Sequence, residues 1–137
     1  MQPLDPQALG LPHREPFVFV DTVEEIIPGE SARCSKTFAP DTDFFRGHFP
    51  GDPIVPGVIL TEALAQTAGI AGARDDVRFL LSAVRTMKFP QPARPGERIK
   101  LHARQTGSIG GLHNFEVRAS VGDNVVAEGQ IILSTLN

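Results

Sequence analysis

The chain has 137 residues, 41% hydrophobic and 21% charged, a size that suits one core and predicts a single domain over residues 1–137. Its 13 Lys and Arg against 16 Asp and Glu give a formal charge of −3, and with neither Trp nor Tyr available for base stacking the composition argues against nucleic-acid binding. One cysteine, four histidines without zinc-site spacing, no signal-peptide pattern in Met1–Pro12 and no apolar run near the ~20 residues of a membrane span exclude a disulfide and structural zinc and predict a cytoplasmic protein.

Taken in chain order, FVFVDTVEEII from Phe17 to Ile27 is rich in Val, Ile and Phe and predicts a strand. Pro28-Gly29 breaks it before SARCSKTF resumes an extended pattern, so the two form a hairpin. Four prolines between Pro40 and Pro56, with Gly47 and Gly51, discourage regular structure and predict an ordered loop. From Val58 the sequence VILTEALAQTAGIAGA is apolar nearly all round for about four turns, the mark of a buried helix. Arg74-Asp75-Asp76 ends it.

Three further strands follow. Phe79, Leu81, Ala83, Met87 and Phe89 alternate with smaller or polar neighbours, as in a half-buried strand. In IKLHARQ, Ile99, Leu101 and Ala103 oppose Lys100, His102 and Arg104. Gly107–Gly111 marks a turn, Phe115, Val117, Ala119 and Val121 alternate again, and Gly122-Asp123-Asn124 leads into VVAEGQIIL. A hairpin, a proline-rich loop, one buried helix and consecutive antiparallel strands predict an α+β fold, a sheet curled around a central helix. One helix cannot cover both faces of that sheet, so its outer face is expected to expose apolar surface and drive self-association.

The chemistry concentrates in Phe44–Ile70. His48 sits between Gly47 and Phe49-Pro50-Gly51, where a constrained backbone would fix the imidazole as a general base or, equally, let it bond its own loop. Glu62 stands among Val58, Ile59, Ala63, Leu64 and Ala65. Burial there raises a carboxyl pKa and suits a general acid, with Gln66 one turn on to orient it; the bland reading is a carboxylate stabilised by the helix dipole. Gly57, after Pro56, offers a side-chain-free amide at a helix start, fit for an oxyanion or for plain capping. His13 and the strand histidines read as packing or surface residues, and Cys34 as an unactivated thiol.

Together, Leu11-Pro12-His13-Arg14, Pro16-Phe17, Val20-Asp21, GHFPGDPIVPGVILTEALAQ and Lys88-Phe89…Pro92…Pro95-Gly96-Glu97 resemble the Z-type 3-hydroxyacyl-acyl carrier protein dehydratases of fatty acid synthesis, in order from about Leu11 to Leu133. The resemblance implies a hotdog fold, active sites formed between two subunits, His48 and Glu62 as the catalytic pair, and the Gly57 amide on the thioester carbonyl. It also implies Phe49, Pro56, Val58 and Gln66 around the substrate, an acyl carrier protein as partner, a homodimer or trimer of dimers, and no metal or organic cofactor. Glu62 favours the Z type over the isomerising A type, which usually has Asp there. Glu15 replaces a frequent aromatic residue, the tunnel-gating Tyr is missing, and Arg98, Lys100 and Arg104 with Lys88 and Arg94 form a candidate carrier-docking face or a solvated one. A hotdog thioesterase and a non-catalytic hotdog subunit are the competing readings.

Overall fold

The computed structural model describes residues 5, 6, 11–73 and 77–136, which form one six-stranded antiparallel sheet around one helix. The expected break at Arg74–Asp76 lies outside the described residues. Strands β1 (Thr22–Ile27) and β2 (Ser31–Thr37) make the hairpin; helix α1 (Gly57–Ala71) follows the proline-rich loop; β3 (Arg78–Lys88), β4 (Arg98–Ile109), β5 (Leu112–Val121) and β6 (Asn124–Leu136) complete the sheet in the order β1-β2-β4-β5-β6-β3.

Period-two alternation explains why the sheet wraps the helix. Ile99, Leu101 and Ala103 of β4 and Phe115, Val117 and Ala119 of β5 are buried beneath α1, with Ala32 and Cys34 of β2 and Ala127 and Ile131 of β6. The helix buries residues on nearly every side, Leu60, Leu64, Ala68 and Ile70 among them. Its two buried threonines satisfy their hydroxyls on the preceding turn, Thr61 on Gly57 O and Thr67 on Ala63 O, both at 2.9 Å. Gly29 N–H donates to Ala71 O at 2.8 Å, tying the β1–β2 turn to the helix end.

Three expectations need correction. The first strand begins at Thr22, not Phe17: Phe17–Val20 run beside α1 as irregular backbone, because Gln66 takes the hydrogen bonds a neighbouring strand would have offered. Strand β3 is exposed rather than half-buried, with only Phe79 and Met87 intermediate. Among the described residues it is the sheet edge, paired with β6, and register shifts at Leu81/Ala83 and Val84/Thr86 interrupt its alternation.

The outer sheet face is also not apolar. Cross-strand register aligns Glu25, Arg33, His102, Arg118, Glu128 and Lys88 in one row across all six strands. Arg33 pairs with Glu25 at 3.2 Å and Arg118 with Glu128 at 3.4 Å, while Arg104 pairs with Glu116 in the next row. The exposed apolar side chains Leu80, Leu81 and Val84 lie instead on the β3 edge. An argument for self-association therefore rests on that edge and not on the outer face.

Candidate active site

The loop before α1 is ordered by its own hydrogen bonds. Phe49 and Asp52 exchange backbone bonds at 3.2 and 2.9 Å around Gly51, whose φ of 78° suits a residue without Cβ, and Ile54 N–H returns to His48 O at 2.9 Å. Arg94 clasps Asp52 at 2.5 Å and Val55 N–H bonds Ala93 O at 2.8 Å, so the loop is pinned to the segment after β3. The His48–Phe49 and Glu15–Pro16 peptide bonds are cis. His48 Nδ1 lies 3.0 Å from Ile54 O. A carbonyl can only accept, so Nδ1 carries the proton and Nε2 presents its lone pair. The ring stacks on Phe49 with centroids 4.2 Å apart.

At the helix start the first helical bonds run from Ile59 and Leu60 N–H to Pro56 O, which leaves the Gly57 and Val58 amides ahead of the ladder. A Cβ on Gly57 would lie 3.1 Å from the Phe89 ring, a tight approach in which the ring would have to give by a few tenths of an ångström. Val58 is 76% exposed and Phe49 51%. Pro56 is the N-cap residue of α1.

Glu62, in the second turn of α1, lies on a cavity of about 160 Å³ lined by Leu11, His13, Phe17, Gln66, Phe79 and Leu81 among others. Burial raises its carboxyl pKa first, against the opposing effects of the Gln66 hydrogen bond and the His13 charge. Gln66 is 1% exposed; its Nε2 donates to Glu62 Oε2 and to Phe17 O, both at 3.1 Å, and its Oε1 accepts from Phe19 N–H at 2.9 Å. His13 Nε2 stands 3.6 Å from the same Glu62 Oε2. Reading His13 as packing or surface missed this contact, because nothing local in the sequence brings position 13 to position 62.

Within one chain the structure thus assembles Glu62 with Gln66, and separately His48 with Phe49; among the described residues no hydrogen bond, ion pair or ring contact joins the two groups. The basic docking candidates are largely neutralised, Arg98 by Glu24 at 3.2 Å, Arg94 by Asp52 and Arg104 by Glu116. A wider hollow of about 510 Å³ on the outer sheet face lies among Lys88, His102, Arg104, Glu116, Arg118 and Glu128, a mostly polar lining poorly suited to an acyl chain. Cys34 is buried and its thiol pushed up to about 12, mainly by burial, so it is not a nucleophile at neutral pH. No helix among the described residues is long and apolar enough to cross a membrane.

An antiparallel sheet wrapped around one buried helix, with a partly buried helical carboxyl group and a loop imidazole held through its Nδ1, defines a hotdog protein equipped for acid–base chemistry. The comparisons agree. The ApeI-like family, described as ApeI dehydratase, matches residues 24–130. The 3-hydroxyacyl-acyl-carrier-protein dehydratase FabZ of Nitratidesulfovibrio vulgaris (strain DP4) is 38% identical over 138 residues, covering 96% of this chain and 90% of the relative. The FabZ of Ruminiclostridium cellulolyticum is 43% identical over 125 residues, 88% of each. In three dimensions the chain is similar to the dehydratase heterocomplex ApeI:P from Xenorhabdus doucetiae, with a TM-score of 0.80 at 19% identity, over 98% of this chain and 92% of that one. The chain belongs to the hotdog dehydratase family of the ApeI-like and FabZ proteins.

Proposed function

We propose that this dehydratase converts 3-hydroxyacyl chains carried on acyl carrier protein to trans-2-enoyl chains, with His48 as base and Glu62 as acid. The observation that carries the reading is that the imidazole is oriented to accept a proton while the carboxyl group sits where burial favours its protonated form. Ile54 O fixes the His48 proton on Nδ1 and leaves Nε2 able to accept, while burial raises the Glu62 pKa above the usual carboxyl value.

The balance of the reaction follows. His48 Nε2 takes the proton from Cα, the electron pair of that bond forms the Cα–Cβ double bond, and the Cβ–O bond breaks. Glu62 gives its proton to the departing hydroxyl, so the products are the enoyl thioester and water. The Gly57 and Val58 amides lie ahead of the helical ladder and suit the thioester oxygen as charge gathers on it; Phe49 and Pro56 flank that end, and Gln66 holds the acid. No step requires a metal or organic cofactor.

On this reading the working site is shared between two copies, in keeping with the absence of any hydrogen bond or ion pair between His48 and Glu62 within one chain. The unpaired β3 edge, with Leu80 and Leu81 on the wall of the Glu62 cavity, is the surface along which a second copy would bring its His48 loop over that cavity. A homodimer is the smallest assembly that does this, and a trimer of dimers would repeat it.

Purified protein given 3-hydroxyacyl and saturated acyl thioesters tests the reading. Enoyl product from the first alone supports dehydration, with roughly 10²–10⁴-fold losses in His48→Ala and Glu62→Gln. Free thiol from both substrates would make it a thioesterase, an inert wild-type protein would make it a supporting subunit, and full activity in both variants would remove the assigned pair.

A further inference from the structure

We propose that His13 is a positioning residue for Glu62, acting with Gln66 to hold carboxyl oxygen Oε2 so that Oε1 is the oxygen that delivers the proton; this rests on Glu62 being the acid. His13 Nε2 and Gln66 Nε2 both approach Oε2, at 3.6 and 3.1 Å. Donors on one oxygen favour its carbonyl character in the protonated carboxyl group and leave the hydrogen on the other. The 3.6 Å separation exceeds a hydrogen bond and is of the kind that tightens once substrate fills a site.

The segment that carries His13 is built rather than incidental. Leu11 is buried at 3% exposure, Arg14 Nη1 clasps Leu11 O and His13 O at 2.8 Å each, and Phe17 N–H returns to Arg14 O at 2.9 Å. The His13 ring stacks on Phe17 with centroids 6.0 Å apart. Its Nδ1 is buried and has no hydrogen-bond partner among the described residues. A proton there would be stranded, whereas a proton on Nε2 points at Glu62, so the tautomer that buries no unpaired donor is the one that can donate to the acid.

The experiment compares His13→Ala, His13→Gln, Glu62→Gln and the His13→Ala/Glu62→Gln pair in dehydration of a 3-hydroxyacyl N-acetylcysteamine thioester, with kcat, KM and kcat/KM followed against pH. The expected result for His13→Ala is a kcat lowered roughly 10- to 100-fold, a KM changed by less than about 3-fold, and an alkaline limb of kcat/KM moved to higher pH as the acid loses its partner. His13→Gln, which restores an N–H at similar reach, recovers most of the loss and returns the limb, and the double variant is no slower than Glu62→Gln alone. The limb is independent of how much protein folds. Wild-type kcat in His13→Ala, an unmoved limb beneath a lowered kcat, or additive losses in the pair would overturn the assignment. Full activity in Glu62→Gln would overturn the acid itself, a failure the other variants do not mimic.

Discussion

Replacing Gln66 by Leu keeps the side-chain size and removes three hydrogen bonds at once. Phe19 is 8% exposed, so its N–H, which now donates to Gln66 Oε1 at 2.9 Å, would be stranded at a cost of about 1–3 kcal/mol. Phe17 is 50% exposed and its carbonyl can turn to water, so that bond adds little. The bond to Glu62 adds about 1 kcal/mol, for a total of about 2–4 kcal/mol. At ~3–4 °C per kcal/mol for a domain of this size, Tm should fall by about 6–15 °C. Urea unfolding at fixed protein concentration, with the slope checked for constancy, reads the free energy, and the concentration must be held because association shifts apparent stability. A variant within about 0.5 kcal/mol of wild type would show that Phe17–Val20 find other partners, and would refute the view that one amide holds that segment to the helix.

Gly57→Ala should lower kcat/KM about 10-fold by pressing its Cβ against the Phe89 ring and shifting the helix-start amide, and Phe89→Leu in the same chain should restore it; no loss, or no rescue, would count against the close approach. Glu62→Gln should change stability in a pH-dependent way. A carboxyl group whose folded pKa is raised by burial contributes stability below its unfolded pKa of about 4.3 and loses it as pH rises through the folded value, so the gain in Tm from Gln is near zero at about pH 4 and positive by about pH 8. A gain of equal size at both ends would deny the shift. Gly129→Ala puts a Cβ 1.9 Å from Thr86 O, where backbone must move, and should cost at least about 3 kcal/mol and release the β3 amides to hydrogen exchange; a cost under about 1 kcal/mol would mean that the β3–β6 bulge opens freely.

Much of this was legible where the signal is local. The alternation in β4 and β5 placed Ile99, Leu101, Phe115 and Val117 on the helix face, and the apolar circumference of Val58–Ala71 placed the helix inside. The spacing of Glu62 and Gln66 by one turn is likewise local, and their hydrogen bond follows from helix geometry. What was not legible depends on position in the sheet or on distance along the chain. The β3 pattern resembles that of a half-buried strand, but no sequence rule says that it stands at the edge with two register shifts. Phe17–Val20 have strand composition, yet a glutamine 47 residues away from Phe19 decides their path. His13 reaches Glu62 only because the segment containing it crosses the helix, so its part could be seen only in three dimensions.

The cross-strand row of charges also fixes how the strands are threaded. Shifting β5 by two residues along β4 would keep every apolar side chain on the helix side, so the core alone would tolerate the slip. On the opposite side, one direction of that slip would set Arg104 against Arg118 and undo the Arg104–Glu116 pair. Interleaved signs thus give the polar surface a vernier function, distinguishing the native alignment from near misses that burial could not tell apart.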